Sequence, residues 1–144
     1  MIVDDDIILN NVKKIFWANG MTCEEGMKCI GYKGCNGMIY FTDKKLQAFM
    51  SKFKVTLDDL RDEDVLSRIY GEYQFPTNLE LLLALHGQNK VMFARCVGIN
   101  QGTVSYILNP AHKPTAGMIK KISKYFNISA RRLLFGHANV KFEL

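Results

Sequence analysis

Between residues 78 and 136 the apolar positions recur three and four apart, the period of a helix that turns one face to a core. Phe93, Val97, Val104, Ile107, Ile119, Ile122 and Phe126 carry this series and are read as core. Residues that start and stop helices cut it into five short pieces. Thr77 and Glu80 form a Thr-x-x-Glu capping box, and Pro76 disfavours helix at Phe75, so the first piece is expected at 78–86, ending at Gly87. Asn89 opens a second at 90–97, which stops at Gly98. Asn100 opens a third at 101–108, ahead of Pro110. Thr115 opens a fourth at 116–126, and Ser129 a fifth at 130–135 before Gly136. The period then changes. Val140, Phe142 and Leu144 alternate with Lys141 and Glu143, which predicts a short C-terminal strand that needs another edge to pair with.

The first half echoes the second. At an offset of 67, Gly20 matches Gly87, Thr22 matches Asn89, Cys29 matches Cys96, Ile30 matches Val97, Gly31 matches Gly98 and Tyr32 matches Ile99. Further on the offset is 73, and Phe53, Val55, Thr56 and Leu60 match Phe126, Ile128, Ser129 and Leu133. One deletion of six residues accounts for the change of offset. Cap residues and core positions are both kept, which argues for one small helical unit used twice. The break in helical period over Tyr70–Thr77 places the boundary, so the expectation is an all-α chain of two tandem five-helix domains, 1–69 and 77–144.

Charge separates the halves. Residues 1–76 hold 10 Lys/Arg and 12 Asp/Glu, net −2, whereas 77–144 hold 9 and 2, net +7. A compact unit that basic suits a polyanion, nucleic acid foremost. Composition excludes other classes. No apolar run approaches the ~18 residues of a membrane span, and the acidic start Asp4-Asp5-Asp6 is unlike a secretory signal. A soluble cytoplasmic protein is expected. Cys23, Cys29, Cys35 and Cys96 form no CxxC pair, and His86, His112 and His137 are dispersed, so neither a metal site nor a cofactor is expected. There is no Walker loop and no nucleophile elbow, and Gly31-x-x-Gly34-x-x-Gly37 is not a dinucleotide fingerprint. The chain does not read as an enzyme.

The stretch Asn89-Lys-Val-Met-Phe-Ala-Arg-Cys-Val-Gly-Ile-Asn-Gln-Gly-Thr-Val-Ser-Tyr-Ile-Leu108 resembles the helix-turn-helix of the lambda-repressor/Cro (Xre) family, with the likeness running over about 78–136. Ala94 is small where two helices cross. Gly98 permits a left-handed turn, Ile99 plugs the core within that turn, and Val104 and Ile107 anchor the second helix from below. The resemblance implies two tandem lambda-repressor-like domains and a second helix lying in the major groove, N-terminus first. It implies that Gln101 reads an adenine edge and that Thr103, Ser105 and Tyr106 sit on or near the reading face. Gly102 departs from the small polar residue usual in the family, which reduces any contact there to backbone. Lys90 replaces a phosphate-binding glutamine and makes that contact more salt-sensitive. Asn109, His112 and Lys113 fall in the loop that commonly touches the DNA backbone.

The first copy is eroded. Its matching segment, Lys33 to Phe41, carries Gly34 and Gly37, each weakening a helix by roughly 1 kcal/mol, and offers Asn36 alone as a base reader. Glu24 and Glu25 stand where phosphates would pass. This copy suits protein contacts. The function expected is therefore a sequence-specific double-stranded DNA-binding regulator, a phage-type repressor or antitoxin-like protein, working as a homodimer. A protein-interaction module on the same helical fold is the competing reading.

Overall fold

The computed structural model describes residues 2–32 and 41–135. The chain divides into two compact units, Met1–Tyr70 and Gly71–Leu144. Among the described residues the structure is all-α. There is no sheet, and β-type pairing is confined to two isolated antiparallel bridges, Ile2 with Thr42 and Tyr73 with Phe135. No helix among them is long and apolar enough to cross a membrane.

The first unit holds α1 (Asp6–Ala18), α2 (Cys23–Cys29), α3 (Asp43–Phe53), α4 (Leu57–Arg61) and α5 (Val65–Tyr70). Side chains start most of these helices by accepting hydrogen bonds from first-turn N–H groups, which have no partner within a helix. Asp5 accepts from Ile7 and Ile8, and Thr42 from Lys45. Thr22 with Glu25, and Thr56 with Asp59, form complete capping boxes. Ile8, Val12, Ile15 and Phe16 of α1 meet Met27, Phe41, Leu46, Phe49, Val55, Leu60 and Val65 in one core. Gly26 has a packing reason. A Cβ there would lie 2.3 Å from the Phe16 ring, and that ring is fixed edge-on to Phe49 at 5.2 Å.

The second unit holds α6 (Phe75–Leu85), α7 (Lys90–Val97), α8 (Gln101–Ile107), α9 (Ala116–Phe126) and α10 (Ala130–Leu134). Asn89, Asn100, Thr115 and Ser129 all cap as the sequence predicts, accepting from Met92, Gly102, Met118 and Arg132. Of the expected core residues, Phe93, Val104, Ile107, Ile119, Ile122 and Phe126 are buried, whereas Val97 is half-buried.

The start of α6 differs from expectation. It begins at Phe75 after Gln74, whose side chain makes no cap, and the Thr77–Glu80 box is not the start, because Thr77 lies inside the first turn. Pro76 is tolerated there, since the N–H it lacks would have had no helical partner. Complete burial of Phe75 outweighs the bias that a following proline imposes. The backbone is also held from outside the helix, with Gln74 N–H donating to the Leu134 carbonyl at 2.8 Å. Of the eroded segment Lys33 to Phe41, residues 33–40 lie outside the described residues, as does the strand expected at Val140, Phe142 and Leu144.

Residues 67 or 73 apart repeat one another's roles beyond those the sequence pairs. Asn11 is buried in α1 and donates its Nδ2 hydrogens to the carbonyls of Leu60 and Asp62, both at 2.7 Å. Asn78 is buried in α6 and donates to Leu133 at 3.0 Å and Arg132 at 3.4 Å. Each ties the first helix of its unit to the chain about α4 or α10. Lys54 and Asn127 end α3 and α9 in the left-handed conformation with the same φ of 56°.

Candidate nucleic-acid interface

The site is built on the turn between α7 and α8. Gly98 closes α7 at φ 82°, and the N–H groups of Gly98 and Ile99 both donate to the Ala94 carbonyl at 2.9 Å. A Cβ on Gly98 would meet nothing within 4 Å, so glycine is needed for the left-handed backbone rather than for room. Ala94 is buried behind the turn and Ile99 is half-buried within it.

Asn100 then starts α8. Its Oδ1 accepts from Gly102 N–H at 2.7 Å, and a Cβ on Gly102 would sit 3.1 Å from that oxygen. The absent side chain therefore gives the cap its space. Val104 and Ile107 are buried on the inner face of α8. Gln101, Gly102, Ser105 and Tyr106 are exposed, and Thr103 is half-buried. The outer face is uncharged and carries the hydrogen-bond donors and acceptors of Gln101, Ser105 and Tyr106.

The loop after α8 is tightly turned. The Asn109 carboxamide oxygen accepts from Ala111 N–H at 3.0 Å, and the Asn109 carbonyl accepts from His112 N–H at 2.9 Å. That turn lays the His112 imidazole on the Tyr106 ring, with centroids 3.9 Å apart and planes 2° from parallel. Lys113 follows, exposed, with its ammonium 5.2 Å from the centre of the Tyr73 ring. Burial pushes the Tyr73 phenol up to about 12, so it presents Lys113 with a neutral ring. The structure thus joins Tyr106 to His112, with Asn109 shaping the loop that carries the imidazole. Lys90 is on a different element, exposed at the first residue of α7. A cation at a helix N-terminus opposes the helix dipole and costs about 0.3–1 kcal/mol, so helix stability does not explain its place.

Lys90, Arg95, Lys113, Lys120, Lys121, Lys124 and Arg131 are all exposed in this unit, while Glu72 and Glu80 are the carboxylates among its described residues. The first unit contrasts at the matching turn. Residues 24 and 25, 67 before Val91 and Met92, are glutamates; Glu25 closes the capping box and Glu24 pairs with Lys28 at 3.6 Å. Two features were not anticipated from sequence. The Tyr106–His112 stack spans a helix end and a loop, where no periodicity links residues six apart. Leu81, Leu85, Val91 and Met92 of α6 and α7 are large apolar side chains left 43–49% exposed. Amphipathic spacing could have flagged these four, since they fall off the core stripe.

Comparison with protein-family models, with characterised proteins and with solved structures returned no match to the chain.

Proposed function

We propose that the chain is a sequence-specific double-stranded DNA-binding regulator of the lambda-repressor/Cro (Xre) kind, with α8 entering the major groove. One observation carries the reading. A short helix buries Val104 and Ile107 and turns outward a capped, uncharged face of Gln101, Gly102, Ser105 and Tyr106, within a strongly basic unit. On this reading Gln101 pairs with an adenine edge and Thr103 offers a hydroxyl or methyl. Lys90 and Lys113 meet phosphates. The two units are tandem copies of one small helical fold, the first serving protein contacts. A single such module buries about 600–1,000 Å² on DNA, which favours a cytoplasmic homodimer on paired half-sites.

Selection from random duplexes by the full chain tests this. Enrichment of paired half-sites about one helical turn apart is the expected result. Salt-sensitive binding with no enriched sequence would defeat it. Within the selected site, Gln101→Ala should cost about 1–3 kcal/mol and relax preference at one base pair. Lys90→Ala should weaken all duplexes alike and flatten the salt slope by about one unit. A second reading, a module that binds a protein, draws on the exposed Leu81, Leu85, Val91 and Met92.

A further inference from the structure

A tyrosine on the outside of a helix ordinarily swings among rotamers, and fixing it on binding loses that freedom. Tyr106 is 55% exposed, yet its ring is covered on one face by His112. The covering residue is not loosely tethered. It sits in a turn closed by two hydrogen bonds that Asn109 accepts, between Pro110, whose ring fixes the backbone, and buried Pro114. The imidazole also bears a cost in this place. Its Nδ1 is shut off from solvent and has no hydrogen-bond partner among the described residues. Desolvating a polar atom without a partner is unfavourable, so burial of the ring for stability alone does not account for the arrangement.

We propose that His112 and Tyr106 form one recognition element, in which the loop imidazole holds the helix-borne phenol in the orientation that meets a base edge. The proposal rests on the DNA-reading function above. Tyr106 is the reader, and its hydroxyl can donate to or accept from a major-groove edge. His112 is a positioning residue that sets specificity without touching a base. Tyr106 lies five residues beyond Gln101, which is about 7.5 Å along the helix, so the two read different base pairs. His112 therefore governs a position that Gln101 does not.

Sequence selection with the full-length wild type, His112→Ala and His112→Phe tests this, alongside helix content and thermal midpoint by circular dichroism. His112→Ala should lose about tenfold discrimination at one base pair, the worth of one good base contact, while preference at the Gln101 position stays. His112→Phe, which keeps a flat ring over Tyr106, should restore that discrimination. All three proteins should melt as folded helical chains. If His112→Ala selects the wild-type sequence with unchanged discrimination, or if His112→Phe fails as alanine does, the positioning role is overturned while the DNA reading stands. If the wild type itself selects no sequence, the DNA reading falls and takes this element with it.

Discussion

In the first unit the bulky residue is on α1, where the Phe16 ring occupies the space that any side chain at position 26 would need. In the second unit, 67 residues on, the matching positions are Leu83 and Phe93, and the bulk is on α7 instead. Both arrangements are buried, with Phe93 stacked on Phe126 at 5.6 Å where Phe16 meets Phe49 and Phe53 edge-on. The second unit thus carries its ring on α7 and the shorter Leu83 at the position of Phe16. Two units can thus share caps, turns and buried asparagines while their core residues differ, and they are free to diverge in charge at the surface.

The largest effect should come from imposing one unit's choice on the other. Gly26→Phe places a ring where 2.3 Å is available to a Cβ, against a Phe16 that Phe49 and Phe53 hold in place. It should destabilise the first unit by more than about 3 kcal/mol. Trp17, the single tryptophan, reports that unit by fluorescence during urea unfolding of the full chain. Adding Phe16→Leu, which copies the residues at 83 and 93, removes the ring that a Cβ at position 26 meets and should recover part of the loss. A double variant no better than Gly26→Phe would show that the Phe16 ring is not what excludes a side chain at position 26.

The buried asparagines differ between the units in the bonds they make. Asn11→Ala strands two carbonyls that now accept at 2.7 Å, whereas Asn78→Ala gives up one bond of 3.0 Å and a marginal one of 3.4 Å. A stranded buried polar group costs about 1–3 kcal/mol, so Asn11→Ala should cost about 2–4 kcal/mol and Asn78→Ala about half that. Urea unfolding followed by Trp17 fluorescence for the first and by circular dichroism for the second measures both. Equal losses would show that bond length does not rank the two ties.

Local signals made most helices legible. Asn89, Asn100, Thr115 and Ser129 are cap residues whose side chains act within three positions, and they fall where the structure forms caps. Thr77 misleads because the start of α6 is decided by burial of Phe75 and by a backbone bond to Leu134, sixty residues away from Gln74. The buried asparagines are not legible in the sequence for the same reason, since their partners lie 49 to 55 residues off. At the candidate interface the exposed face of α8 followed from Val104 and Ile107 alone. The place of His112 did not, because a turn made by Asn109 sets it.

The smallest effect separates the units by pH. In the first unit Asp59 accepts from Thr56 N–H at 2.9 Å and from Arg68 Nε at 2.8 Å. The backbone bond from Thr56 is the main cause that holds its carboxyl below the ordinary 3.8; burial works against it and Arg68 adds to it. A carboxylate lowered by folding stabilises the fold above its unfolded value, and that contribution fades as pH falls through the folded value. At the matching position, 73 residues on, the second unit has Arg132, whose N–H donates to the Ser129 cap and whose side chain has no carboxylate to lose. Asp59→Asn should therefore cost about 1 kcal/mol at neutral pH, the worth of a cap, and progressively less below about pH 4. Urea midpoints read by Trp17 between pH 7 and pH 3 give the test. Wild type and variant should converge as the acid limit is approached. Curves that stay parallel throughout would show that this capping carboxylate does not distinguish the acid response of the two units.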